Sequence, residues 1–316
     1  MSSSAASGRV ECAESKNPTK SGVPSKSAND SYGQDHSTSS RRYITRAEVV
    51  ALDARLSERE RACLLDVGRL GTATGRQLER LHYGSHESGR RLARVELARL
   101  TNAGVLQRLT RTVGGVRGGS RSHVYALGLA GQRILYPDRQ RYRAPWTPQP
   151  SYVRHALNVS ELYVALREAE RIERLELVAY DTEPRCWRSF AGPGGAMVTL
   201  KPDAFAALYH GDWESNIYVE VDLATEDGNR ILAKARTYVG YWRSGKAQAT
   251  GLFPLICWVV TTEQRRSFLE RTFQRLPESE RALFTVTTRE HFIDHIIAPT
   301  PPGNQAHVTP LKEVNQ

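Results

Sequence analysis

The sequence is poor in lysine. Seven lysines stand against 37 arginines, a choice that a GC-rich genome would explain without explaining where the arginines cluster. Cysteine is scarce too. Cys12, Cys63, Cys186 and Cys257 are far apart and form no CxxC pair, which argues against a disulfide scaffold or a zinc finger and for reduced thiols. Long apolar runs are missing: the longest, 252–260, falls well short of the ~20 residues of a membrane helix and suits a buried strand. No GxSxG, HExxH or Walker-type sequence is present, which argues against the hydrolases and ATPases built on them. The serine-rich start has no apolar leader core, so a soluble, cytoplasmic protein without membrane contact is expected.

What is present is unevenly distributed. Residues 41–143 hold 21 arginines against nine acids, whereas 144–316 hold 19 basic and 21 acidic residues. The chain's net charge of +10 therefore belongs to one segment, as in a nucleic-acid-binding module joined to a nearly neutral partner. Residues 1–40 contain twelve serines and little apolar surface and are expected to be a disordered tail. Lys16, Lys20 and Lys26 give that tail at most a weak affinity for DNA.

Segment 85–127 organises the basic half. At ~100° per residue Ala93, Leu97 and Leu100 share one helical arc, and Arg90, Arg91 and Arg94 a neighbouring one. Gly104 stands where a left-handed cap is wanted. Segments 105–109 and 122–127 read as the strands of a hairpin, with Arg117 and Arg121 on its glycine-rich tip. Upstream, Ser57-Glu58-Arg59-Glu60 and Thr74-Gly75-Arg76-Gln77 are capping boxes that open two helices. Helix, short helix, basic helix and hairpin is the order of a winged helix-turn-helix, whose last helix enters the major groove of double-stranded DNA. Arg90, Arg91 and Arg94 would face base edges, while Arg111, Arg117 and Arg121 would meet phosphates or a minor groove. His82 and His86 have helical spacing but no third ligand nearby in sequence, so a turn is expected there, not a zinc site.

A short helix over 129–136 closes this module, and four prolines mark 137–151 as a linker. The second half alternates helix and strand: a helix at 152–174, strands at 175–181, 198–209 and 217–222, a helix at 229–242 and a strand at 253–261. A helix at 263–275 and a strand–helix pair over 283–297 follow. This predicts an α/β domain with a mixed sheet over 152–297, before a disordered tail at 298–316. The whole is an α+β winged helix-turn-helix domain (41–136) followed by that α/β domain.

Three acids stand out there. Asp203 follows Pro202 early in the 198–209 strand, and Glu220 and Asp222 share one face of the next strand while Val219 and Val221 take the other. If those strands are neighbours, Asp203 and Glu220 could share Mg²⁺, a hard ion that activates water and neutralises a phosphodiester. Lys234, one turn before Tyr238 on the next helix, would support the attacking water or the developing anion. The alternative is an ordinary wet strand face with structural acids.

Helix, three strands, helix, strand with Pro202-Asp203 and Glu220 resembles the PD-(D/E)XK nuclease family over about residues 152–262, which implies a restriction-endonuclease-like fold. The departure is Asp222, which stands where that family has lysine. Branches that move the lysine to the next helix imply Lys234 in its place, and Glu161 fits the acid some branches carry on the first helix. Over 56–242 the chain is similar to the replication-relaxation family of plasmids and mobile elements. Leu56-Ser57-Glu58-Arg59-Glu60, Thr74-Gly75-Arg76-Gln77-Leu78, the segment 113–120, Val124-Tyr125-Ala126-Leu127-Gly128, Lys201-Pro202-Asp203-Ala204-Phe205 and Val219-Glu220-Val221-Asp222 carry the similarity. It implies a role in replication and in relaxation or transfer of plasmid DNA. Three functions stay open: a DNA-binding accessory protein, a Mg²⁺-dependent endonuclease, and a docking module that recruits a relaxase or replication initiator. A homodimer on a palindromic site also stays open, although no heptad argues for one.

Overall fold

The computed structural model describes residues 44–84, 86–109, 122–142, 148–247 and 253–298, with the backbone alone at 308–310. The tail at 1–40 and the three hairpin arginines Arg111, Arg117 and Arg121 lie outside these residues.

Local signals set the first elements. Helix α1 (Arg46–Ala54) opens on a Thr45/Glu48 capping box, and α2 (Glu58–Leu70) on the Ser57/Glu60 box. A two-residue strand β1 (Ala73–Thr74) leads into α3 (Gly75–His82), capped by Thr74 and Gln77. In each box the side chains satisfy amides that a helix start leaves unpaired. Helix α4 (Glu87–Asn102) ends in a Schellman turn. Gly104 takes φ +70° there, its N–H reaches Thr101, and the Val105 N–H reaches Leu100 at 2.9 Å. Glycine has no Cβ to oppose that left-handed conformation. Strands β2 (Leu106–Arg108) and β3 (Val124–Leu127) pair antiparallel, β1 joins β3 on its other edge, and α5 (Leu129–Leu135) follows.

The chain then enters α6 (Pro150–Arg171), which starts on proline, a residue suited to a first turn whose N–H has no partner. Strand β4 (Glu176–Thr182) precedes a small hairpin, β5 (Arg188–Ala191) and β6 (Met197–Leu200). Strands β7 (Ala204–His210) and β8 (Trp213–Asp222) form the centre of the main sheet. Then come α7 (Gly228–Arg243), β9 (Leu255–Val260), α8 (Glu263–Phe273), α9 (Glu278–Arg281), β10 (Phe284–Thr288), α10 (Phe292–Ile296) and β11 (Val308–Pro310). The sheet order is β10-β9-β8-β7-β4, with β11 on the outer part of β8. Pairing is parallel for β10-β9-β8 and antiparallel for β8-β7-β4 and β11. The fold is α+β with a mixed sheet.

The expected single strand over 198–209 is two strands in different sheets. Its break falls at Lys201-Pro202-Asp203, because Pro202 has no N–H to give a ladder and the Cys186 thiol holds its carbonyl at 3.0 Å. Asp203 therefore precedes β7 and does not lie inside a strand.

One apolar cluster runs from Leu64, Leu78, Leu97 and Leu100 through Leu162 and Leu166 of α6 to Ile217 and Val219 of the sheet. The second lies on the other sheet face, where Tyr218, Trp258 and Val260 meet Ile231 and Tyr238 of α7 and Leu269 of α8. Each fully buried leucine of this kind stabilises by roughly 1.5–3 kcal/mol. Helix α6 is thus shared: one side meets α2 and α3, another the sheet.

Candidate functional site

Two groups of charged side chains emerge, one on each side of α6. The first is on α4. Ala93, Leu97 and Leu100 are buried as their arc predicts, and Arg90, Arg91 and Arg94 are exposed. Their surroundings differ. Arg90 holds Glu79 of α3 at 3.2 Å, tying the two helices together. Arg91 and Arg94 have no ion-pair or hydrogen-bond partner among the described residues. Farther along α4, Glu96 meets Arg59 at 3.1 Å and Arg99 meets the buried Glu60, both on α2. Burial acts to raise the Glu60 carboxyl, but hydrogen bonds from Arg99 and Ser57 outweigh it and hold it below the usual range.

The turn between α3 and α4 is tightly built. His86 caps α4 by accepting the Gly89 N–H at 2.9 Å, and His82 sits 3.1 Å from Asp66. His86 lies in the expected turn, whereas His82 is the last residue of α3. A Cβ at Gly89 would lie 2.2 Å from the Tyr83 carbonyl oxygen and 2.9 Å from that of Gly84. Only glycine lets α4 start so close to the end of α3.

The second group surrounds Asp203. Register places Ala204 opposite Val219, so the preceding Asp203 faces Glu220 across the antiparallel pair. The Lys234 ammonium on α7 contacts the Glu220 carboxylate and lies 3.8 Å from Asp203. Tyr238, one turn farther on, donates its hydroxyl to the other Glu220 oxygen. Asp203 also accepts the Val221 N–H at 2.7 Å and meets His155 of α6 at 3.2 Å. Both acids are nearly inaccessible, whereas about a third of the Lys234 and His155 side chains is exposed, so the cluster opens on their side.

Burial opposes charge on Asp203, but Lys234, His155 and the Val221 amide outweigh it and lower its pKa. Glu220 goes the other way: burial, reinforced by the Asp203 charge, pushes it up to about 8 against the pull of Lys234. Burial would weaken the Lys234 ammonium, yet the Glu220 and Asp203 carboxylates overcome this and raise it. His155 is raised, chiefly by its hydrogen bond to Asp203.

Asp222 shares the Glu220 face, as alternation requires, but has other partners. It accepts Arg265 Nε of α8 and the Ala224 N–H, each at 2.7 Å. Glu161 lies away from the cluster altogether, with Arg80 and Gln77 of α3. It is 6 residues beyond His155 on α6, about a third of a turn around the helix from it, and it faces the basic half. The helix residue that reaches Asp203 is His155, which the sequence pattern did not reveal. Glu183, close enough to feel the Asp203 charge, was missed as well. Among the described residues no three His, Cys, Asp or Glu side chains are arranged to hold a metal ion. No helix among them is long and apolar enough to cross a membrane.

Residues 64–256 match the replication-relaxation family, a span that includes α3, α4, α6 and the Asp203 cluster. The chain belongs to that family, and membership points to a role in replication or relaxation of plasmid or mobile-element DNA. Neither a curated protein nor a solved structure matches the chain.

Proposed function

We propose that the protein is a DNA-binding accessory factor of plasmid or mobile-element replication, relaxation or mobilisation. In this reading α2, α3 and α4 with the β2–β3 hairpin act as a winged helix-turn-helix, and α4 enters the major groove of duplex DNA. One observation carries it. Arg91 and Arg94 project from the outward face of α4 without an acidic partner among the described residues, in the half of the chain that holds all the excess positive charge. Guanidinium groups placed this way can meet guanine O6 and N7 in two parallel hydrogen bonds. A salt-dependent binding titration with duplex DNA tests it. With about five phosphates neutralised, affinity falls several hundred-fold between ~50 and ~200 mM salt. A flat response would remove the reading.

A second reading has its own observation: Asp203 and Glu220 face one another and share one lysine ammonium. This supports a Mg²⁺-dependent endonuclease with a restriction-endonuclease-like fold. Asp203 and Glu220 would hold the ion, which when bound supplies an activated water and charge neutralisation at the phosphodiester. Lys234 already contacts both acids, so it would have to yield part of that contact to a metal. Incubation of supercoiled plasmid with Mg²⁺ or Mn²⁺ separates the two readings. Nicking that disappears in Asp203→Ala supports the endonuclease, and no conversion with either metal supports the accessory factor.

A further inference from the structure

The outward face of α4 is not uniformly polar. Val95 is 60% exposed and Leu92 38% exposed, where a surface helix ordinarily shows charged or polar side chains. Three- and four-residue spacings make Ser88, Arg91, Leu92 and Val95 one contiguous patch, with Arg94 at its border. Charge around the patch is lopsided. On one side Glu96 and Arg99 are tied to α2; on the other stand Arg91 and Arg94, unpaired among the described residues.

The unpaired cations select the occupant. A second copy docked on this patch about a two-fold axis would bring four such arginines together, because an isologous contact sets the same surface against itself. A polyanion suits them, provided that it also offers something aliphatic. The major groove of DNA does, through the C5-methyl of thymine beside the acceptor edge of guanine.

We propose that Val95 and Leu92 read thymine methyl groups next to guanines contacted by Arg91 and Arg94. The preferred site of α4 then mixes G·C pairs with thymines whose methyls, and not only their hydrogen bonds, are recognised. This rests on the DNA-binding reading of α4 and adds base specificity to it.

The test uses the full chain and a duplex selected from a random library. Each thymidine of that duplex is replaced in turn by deoxyuridine, which removes the methyl and keeps pairing and charge. At two positions binding weakens about fourfold, the value of burying one methyl-sized group. Val95→Ala abolishes the penalty at one of these positions and Leu92→Ala at another. Both side chains are exposed, so circular dichroism should show both variants folded. Equal binding of every uracil duplex, with the parent duplex still selected, overturns the inference and leaves DNA binding intact. A Val95→Ala variant that keeps the penalty but loses self-association assigns the patch to a second copy and also overturns it. Failure to enrich any duplex removes the DNA reading and this inference together.

Discussion

The two halves of the molecule use charge in opposite ways. In the basic half the arginines divide between those tied to acids of neighbouring helices, such as Arg59, Arg80 and Arg99, and those that project outward, such as Arg91 and Arg94. In the nearly neutral half the three acids singled out are buried, and each has a cationic neighbour: Lys234 for Asp203 and Glu220, Arg265 for Asp222, with His155 also bonded to Asp203. An outward cation is fully solvated and costs the fold little, whereas a buried acid depends on its partner. Net charge alone would suggest that the arginine-rich half is the electrostatically demanding one. The geometry indicates the reverse.

Removing cations from each half gives the sharpest contrast. Lys234→Met leaves Glu220 and Asp203 buried without their shared ammonium, a loss of about 3–5 kcal/mol by analogy with broken buried pairs. Adding Glu220→Gln to Lys234→Met recovers part of it, because a carboxyl that burial drives towards its neutral form is replaced by an amide that is neutral at every pH and so never sets a second charge beside Asp203. Arg91→Ala together with Arg94→Ala changes stability by only about 0.5 kcal/mol or less, while on the proposed DNA-binding reading DNA affinity and its salt slope fall. Urea denaturation of the three variants checks the stabilities, and equal losses in both halves would end the comparison.

The next effect concerns the frame that holds the outward arginines. Gly89→Ala drives a methyl into the Tyr83 and Gly84 carbonyls, an overpacking that costs about 1–3 kcal/mol. On the proposed DNA-binding reading, DNA affinity should drop with it, since α4 must shift to make room. A Gly89→Ala variant with wild-type melting temperature and affinity would mean that the α3–α4 corner is looser than its contacts indicate.

Much of the basic half was legible because its signals are local. The Ser57 and Thr74 boxes, the Gly104 cap and the Ala93/Leu97/Leu100 stripe each lie within a few residues, and each forms as read. The Thr45/Glu48 box was equally visible and was missed, and α1 with it. In the second half, alternation correctly put Glu220 and Asp222 on one face. Alternation says nothing of what lies above that face, and there Lys234 and Arg265 divide the two acids between α7 and α8. Pro202 was a local signal for the break before β7 that the strand pattern overrode. His155 had none: it is 48 residues from Asp203 in sequence, and only the packing of α6 on the sheet brings them together.

The smallest effect probes that long-range contact. His155 is raised above its usual value near 6.5, first by the hydrogen bond to Asp203 and against the opposing effects of burial and of the Lys234 charge. The sign follows from linkage: a histidine raised in the folded state contributes stability fully below its unfolded pKa, and that contribution is lost as pH rises through the folded value. The window therefore opens near 6.5 and closes just above the raised value. Asp203→Asn removes the carboxylate and leaves burial, Lys234 and Glu183 in place, so the His155 pKa should fall. An NMR titration of the imidazole Cε1–H signal follows both proteins. An unchanged midpoint in Asp203→Asn would show that α6 does not deliver His155 to the acid cluster in solution, and Asp203 would then be left with Lys234 and the Val221 amide.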